Sequence, residues 1–219
     1  MLLPFFCSTP PPLQKDDVPK LLALLSTEHD FKTVAAFGDV RVAINGEVHR
    51  GTIEVHWNNN GRFNADFYAP FGMIAGSIKA TEGGGTVTFG EGEYNFAVTQ
   101  TMDTLPFAWG RDLTFGELMM VLLGRIPAAY ANRLQLLPDS CSNERKTISS
   151  LWKTDTLDIQ AIMRKQAAGD VKVMFIFKKH QSFRYLILQS FKQGRAFKIE
   201  FRENDGNYFS IKYTKVKCN

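Results

Sequence analysis

Metal, acid/base and nucleophile chemistry have few places to start in this 219-residue chain. The candidate metal ligands are His29, His49, His56 and His180 with Cys7, Cys141 and Cys218. His49 and His56 differ by an odd number along a segment of period two, so their rings point to opposite faces. The cysteines are too scattered to assemble a zinc cluster with them. Glu54 and Asp66 read as solvated strand residues rather than an acid/base pair. Gly83, Gly84 and Gly85 lack the Lys-Ser/Thr that completes a phosphate-cradling loop. Gly90-Glu91-Gly92 lacks the third glycine and the following helix of a dinucleotide site. No serine sits in a nucleophile elbow. The expectation is a protein without catalytic residues, metal or cofactor. One residue is chemically out of place. Phe71 stands between Pro70 and Gly72, where a turn ordinarily carries small or polar side chains.

That turn interrupts the stretch RFNADFYAPFGMIAGSIK, from Arg62 to Lys79. Phe63, Ala65, Phe67 and Ala69 share one face and Arg62, Asn64, Asp66 and Tyr68 the other, the period of a half-buried strand. The same alternation begins at Phe31, with Val34, Ala36, Gly38, Val40, Val42 and Ile44 on one face, up to a hairpin signal at Asn45-Gly46. Ile53, Val55 and Trp57 follow on the return strand. Two short strands, Thr86 to Phe89 and Tyr94 to Thr99, complete a meander. The pattern then becomes helical. Thr114 and Glu117 have capping-box spacing, and Phe115, Leu118, Met119, Leu122 and Leu123 form an apolar face ending at Gly124. Pro127 opens a second helix through Leu134, and Pro138 to Lys146 reads as a loop. Strands resume near Leu157, Val171, Phe183, Phe197 and Phe209. The total is about eleven strands, with an earlier helix built on Asp16, Asp17, Pro19, Val18, Leu21, Leu22 and Leu25.

Composition is ordinary for a globular protein, at 44% hydrophobic and 22% charged. Eighteen phenylalanines, mostly in alternating segments, suggest a roomy aromatic interior. No run approaches the ~18–20 apolar residues that span a bilayer. The net charge of +4 is uneven. Residues 151–219 hold fourteen Lys or Arg against six Asp or Glu, while the first 150 residues are net acidic. Cations at strand spacing line a wet sheet face or attract an anionic membrane; their dispersion argues against nucleic acid.

Residues 1–15 run from a short apolar stretch into Cys7 and a proline-rich spacer, like the end of a bacterial lipoprotein signal truncated at its start. Acylation at Cys7 would make the spacer a semi-rigid tether and leave Cys141 and Cys218 to pair with each other. The alternative is three unrelated thiols in a reducing compartment. Residues 16–219 read as one domain. A sheet of this size must close or be covered, and the central helices are the available cover. The result is either an enclosed apolar cavity or a filled core.

FGDVRVAINGEVHRGTIEVHW, RFNADFYAPFGMIAGSI, LTFGELMMVLLGRIP and EFRENDGNYFSIKYTKV together resemble the LolA/LolB-like family of bacterial lipoprotein carriers and receptors. The resemblance spans most of residues 16–217, through pattern and order. It implies a mainly β (α+β) fold: one curved antiparallel sheet of about eleven strands in an open half-barrel, with an N-terminal helix and central lid helices. It implies an apolar cavity for the acyl chains of lipoproteins or lipids, lined by Ile53, Val55, Trp57, Phe63, Phe67, Phe197, Ile199 and Phe201, with Met119 and Leu122 on the lid. Pro70, Phe71 and Gly72 match a membrane-inserting turn of the receptor type, where leucine is the usual central residue. The implied partners are a periplasmic carrier protein and the membrane surface. The implied location is the periplasmic face of the bacterial outer membrane, lipid-anchored through Cys7, or soluble in the periplasm without that acylation. The competing expectation is a lipid-anchored interaction or scaffold protein of the cell envelope with a filled core.

Overall fold

The computed structural model describes residues 32–44, 46–102, 113–127, 140–142, 147–153, 158–165, 171–179, 182–192, 195–203 and 206–219. Cys7, the tether, the N-terminal helix and the helix expected beyond Pro127 lie outside these residues. Six strands come first: β1 (Thr33–Ile44), β2 (Glu47–Asn58), β3 (Phe63–Tyr68), β4 (Ile74–Thr81), β5 (Gly84–Phe89) and β6 (Gly92–Ala97). One helix follows, α1 (Phe115–Leu122). Seven strands complete the fold: β7 (Ser140–Ser142), β8 (Thr147–Lys153), β9 (Asp158–Lys165), β10 (Val171–Lys179), β11 (Ser182–Lys192), β12 (Arg195–Glu203) and β13 (Tyr208–Cys218).

All thirteen strands form a single sheet in the order β6-β5-β4-β3-β2-β1-β13-β12-β11-β10-β9-β8-β7. Each limb is a meander, and the antiparallel pairing of β1 with β13 joins them. The sheet is not closed, since β6 and β7 are its two edges. The alternation read from sequence sets the inward face: Ile53, Val55, Phe63 and Ala65 are buried, and Glu54, Asn64 and Asp66 between them are less so. The Asn45-Gly46 signal holds, with Ile44 opposite Glu47 and Gly46 at φ 84°.

The strand count corrects the expectation of about eleven. β7 and β8 occupy ground that reads partly as a loop. Ser140-Cys141-Ser142 has no apolar alternation, but an edge strand needs only backbone pairing on one side, and Cys141 pairs with Ile148. Cys218 is a free thiol on β13, six strand steps from β7, which carries Cys141.

Of the two expected lid helices, the one beyond Pro127 lies outside the described residues, and the other forms but is not a lid. Among the described residues there is one helix, and it belongs to the core: Phe115, Leu118, Val121 and Leu122 are all at most 3% exposed. Its start is the anticipated capping box. The Glu117 N–H donates to Thr114 Oγ1 at 3.2 Å, and the Thr114 N–H donates to Glu117 Oε2 at 2.8 Å.

The helix shows that the sheet is curled. At its N-terminus Phe115 stacks on Phe96 of β6 with ring centroids 6.0 Å apart. Phe115 also lies so close to Gly85 of β5 that a Cβ there would meet its ring at 2.7 Å. The N–H groups of Phe115 and Gly116 donate to the carbonyls of Gln100 and Val98 at 2.9 and 2.8 Å. At the other end the Tyr213 hydroxyl of β13 donates to the Leu122 carbonyl, and Gln189 Nε2 of β11 donates to the Arg125 carbonyl at 3.0 Å. β6 and β11 are eight neighbour steps apart, about 38 Å in a flat sheet. Ten residues of mostly helical chain cover only about 15 Å. The two limbs must therefore bend toward each other around α1.

Truncating the two elements of this joint should cost unequally. Thr114→Ala removes one cap and should lower unfolding free energy by about 1 kcal/mol. Phe115→Ala removes a fully buried ring and should cost about 3–5 kcal/mol. Urea denaturation of the two variants measures the contrast, and equal losses would contradict the central placement of Phe115.

Candidate functional site

Where α1 stops covering the sheet, the concave face opens as a groove of about 570 Å³. Its walls include Val40 and Val42 of β1, Phe67 of β3, Ile78 of β4, Val87 of β5 and Phe209 of β13. Leu118 and Leu122 form the floor toward the helix. Phe67 and Phe209 meet edge to face, centroids 5.9 Å apart, although their strands are three steps apart. Gly51 of β2, which also borders the groove, lies tight against β3; a Cβ there would meet the Tyr68 carbonyl oxygen at 2.1 Å.

The groove opens at the end of the sheet that carries the β1–β2, β3–β4 and β5–β6 turns. Val48, Pro70, Phe89 and Gly90 from these turns line its mouth. Ala69 to Gly72 form a tight turn in which the Gly72 N–H donates to the Ala69 carbonyl at 3.2 Å. The Ala69 N–H then donates to the Met73 carbonyl at 2.8 Å, closing the strand pair. Phe71 is the second central residue and takes φ 69°, ψ 15°, the left-handed conformation that a type II turn reserves for glycine or asparagine. Its ring is fully exposed, so the strain is not offset by packing. Met73 and Ile74 beside it are about two-thirds exposed, at 64% and 65%.

A second, more open groove of about 550 Å³ flanks the same turn on the outer face, between Phe37, Arg50, Thr52, Glu54, Tyr68 and Phe71. On that face Glu54 stands directly opposite Asp66, which accepts from Asn64 Nδ2 at 2.5 Å. The Tyr68 phenol is held above its ordinary value by the loss of surrounding water and then by the Glu54 and Asp66 carboxylates.

The lining expected from sequence is gathered on one concave face but is distributed differently from the groove. Ile53, Val55, Phe63, Ile199 and Phe201 are buried in the continuous core, and Trp57, Phe67 and Met119 pack against it. Of the ten, Phe67 and Leu122 border the open groove. Phe197 stands apart. Phe191 pairs with Ala196 and Ser190 with Lys198, which leaves Phe197 as the extra, half-buried residue of a bulge. Val40, Val42, Val87 and Phe209 were missed as lining, although their alternation with polar neighbours marks the inward face. Among the described residues no group of three His, Cys, Asp or Glu could hold a metal, and no helix is long and apolar enough to cross a membrane.

A curled, open sheet around one helix, with an apolar groove at its turn end, has a counterpart among solved structures. The fold is similar to that of a lipoprotein-sorting domain. That domain, assigned to outer-membrane lipoprotein sorting in Vibrio parahaemolyticus, superposes with a TM-score of 0.50 at 7% identity, over 94% of this chain and 92% of that one. A DUF1329 family protein from Desulfovibrio piger gives 0.47 at 9% identity, covering 94% and 91%. A LolA superfamily protein from Nitrosomonas europaea gives 0.42 at 7%, covering 94% of each chain. The fold assignment rests on the first of these. No family model and no curated protein sequence matches the chain.

The exposed, strained Phe71 makes a direct stability prediction. Glycine tolerates φ 69° freely, whereas an ordinary residue there gives up roughly 1 kcal/mol. Phe71→Gly should therefore unfold in urea at a midpoint no lower than wild type. A loss above about 1 kcal/mol would mean that the ring packs onto the protein after all.

Proposed function

We propose that this protein is a non-enzymatic carrier or receptor that holds acyl chains of lipoproteins or lipids in its apolar groove. In this reading it hands them over at a membrane surface, on the periplasmic face of a bacterial outer membrane. One observation carries the reading: the mouth of an apolar groove ends in a turn that displays Phe71 in a strained, fully exposed conformation. The groove lies within the range of ~300–1,000 Å³ that small-molecule sites occupy, and its walls are apolar. Each methylene buried there contributes about 0.8 kcal/mol without any directional contact, which suits cargo that varies in its protein part.

Phe71 acts in this reading as a membrane-inserting side chain of the receptor type, with Pro70 and Gly72 fixing its turn. Full burial of one such side chain stabilises by about 1.5–3 kcal/mol, enough for transient insertion and too little for a permanent anchor. A lipid on Cys7 would supply the second membrane signal that stable attachment requires. A periplasmic carrier protein is the natural donor. Release of the chain requires a state in which the groove is wider, and a bound chain must favour that state.

A scaffold role in the envelope is the second reading, and the solid core favours it. Ile53, Val55, Phe63, Ile199 and Phe201 are packed against neighbours rather than lining open space. Native mass spectrometry of protein taken from the cell envelope separates the two readings. A carrier retains lipid through purification, and repeated absence of lipid would favour the scaffold. Phe71→Glu should keep the fold and the bound lipid but lose delivery of a lipoprotein to liposomes; undiminished delivery would remove Phe71 from the mechanism.

A further inference from the structure

The outer face beside the Phe71 turn carries an arrangement that the fold does not need. Arg41 of β1 and Arg50 of β2 are directly opposite each other in register, both exposed, and among the described residues neither side chain forms a hydrogen bond or ion pair. Cross-strand partners sit about 4.5–5.5 Å apart at Cβ, and like charges so placed destabilise a sheet. Two guanidinium forks side by side are a bidentate grip for a phosphate. Arg50 also lines the outer groove against Pro70, Phe71 and Gly72, so the pair and the displayed ring belong to one surface.

The groups around the pair are graded along the sheet. Toward the turn end lie Val48, Phe71, Met73, Ile74 and Phe89, all exposed apolar side chains. Toward the middle of the sheet lie the acids of the outer face: Asp39, opposite Thr52 and Lys212, and Glu54, opposite Asp66. At the rim itself Glu47 is in contact with His49 at 3.8 Å, and Glu91 sits in the β5–β6 turn. Val48 precedes Arg50 by two residues, about 7 Å along the strand. Apolar elements lying at a membrane surface reach about 5–10 Å into the headgroup and acyl boundary. An apolar tip sunk to that depth places the arginines level with the phosphates and Asp39, Glu54 and Asp66 in water, while Glu47 and Glu91 stay at the rim among the headgroups.

We propose that the turn end of the sheet is a docking surface for an anionic phospholipid membrane, in which Arg41 and Arg50 grip headgroup phosphate while Val48, Phe71, Met73, Ile74 and Phe89 enter the bilayer. The inference rests on the carrier reading and names its acceptor surface. It assigns orientation as well as attraction. Docked this way, the mouth of the apolar groove faces the lipid, so an acyl chain can leave without crossing water.

Vesicle flotation tests it with the full-length protein. The vesicles are phosphatidylcholine alone or phosphatidylcholine with phosphatidylglycerol. Wild type should prefer the anionic vesicles, with the preference falling as salt rises. Juxtamembrane basic residues contribute about five-fold each, so Arg41→Gln with Arg50→Gln should weaken anionic binding on the order of twenty-five-fold. The double variant should melt no lower than wild type, because it loses only repulsion, and binding to plain phosphatidylcholine should change little. Equal binding of wild type and the double variant to anionic vesicles overturns the proposal. So does wild type that floats with neither vesicle, which would give the surface to a protein partner. Lipid retained by the purified protein while either of these results holds sinks the docking surface alone; absence of retained lipid sinks the carrier reading beneath it.

Discussion

The two ends of α1 leave backbone groups that the helix cannot satisfy itself, and the limbs of the sheet supply their partners. At the N-terminus the N–H groups of Phe115 and Gly116 donate into the chain that follows β6. At the C-terminus the Leu122 carbonyl accepts from Tyr213, and beyond it the Gly124 carbonyl accepts from the Ala196 N–H at 3.1 Å and the Arg125 carbonyl from Gln189. Every helix has such orphan groups, and burying them unpaired costs free energy comparable to a lost hydrogen bond. In this fold their satisfaction requires both limbs at once. An eight-residue helix with partners on strands eight steps apart permits no flat sheet, so curvature follows from hydrogen-bond accounting as much as from apolar burial.

The length of that helix then decides where the groove lies. α1 fills the space between the limbs with Phe115, Leu118, Val121 and Leu122, and these side chains join the continuous core. Among the described residues Leu118 and Leu122 are the helix side chains that border the groove, and its other walls come from the inward face of β1 to β5 and from Phe209. Phe67 and Phe209 meet edge to face at this level, across three strand steps. Among the described residues the groove thus begins where the side chains of α1 end. Acyl cargo that displaced the helix itself would have to break the buried hydrogen bonds at both of its ends.

The inward face was legible wherever strands alternate cleanly, as at Ile53 and Val55, and the capping box at Thr114 gave the helix start to the residue. Three things were not. Ser140 to Ser142 is a strand only because Thr147 to Lys153 offers it a partner, and a polar edge leaves no period to read. Phe197 looks like a companion of Ile199 until a bulge against Ser190 and Phe191 removes it from the alternation, and bulges have no local signature here. Alternation also cannot distinguish a residue lining a groove from one packed in a core. Ile53 and Val42 obey the same rule, but only the three-dimensional reach of α1 separates their surroundings. The reading of Phe71 is the reverse case. A large apolar residue in a position that favours glycine was visible as an anomaly from the sequence, and the structure gave it a φ angle and an exposure.

The features at the turn end share a thermodynamic oddity. Phe71 gives up backbone energy in the left-handed region, and Arg41 faces Arg50 across a strand pair. Met73 and Ile74 leave most of their apolar surface in water. None of these contributes to the core, to the curl or to the helix joint, and each would be relieved by an ordinary surface residue. Isolated, any one would be unremarkable, since exposed apolar residues are common on soluble proteins. Their concentration at the mouth of one groove is different. A marginally stable fold keeps local costs where an interaction outside the free molecule offsets them. The membrane surface proposed as the docking partner would offset all three together: hydrocarbon for the ring and its neighbours, phosphate for the arginines, and insertion energy against the strained turn that holds Phe71 outward.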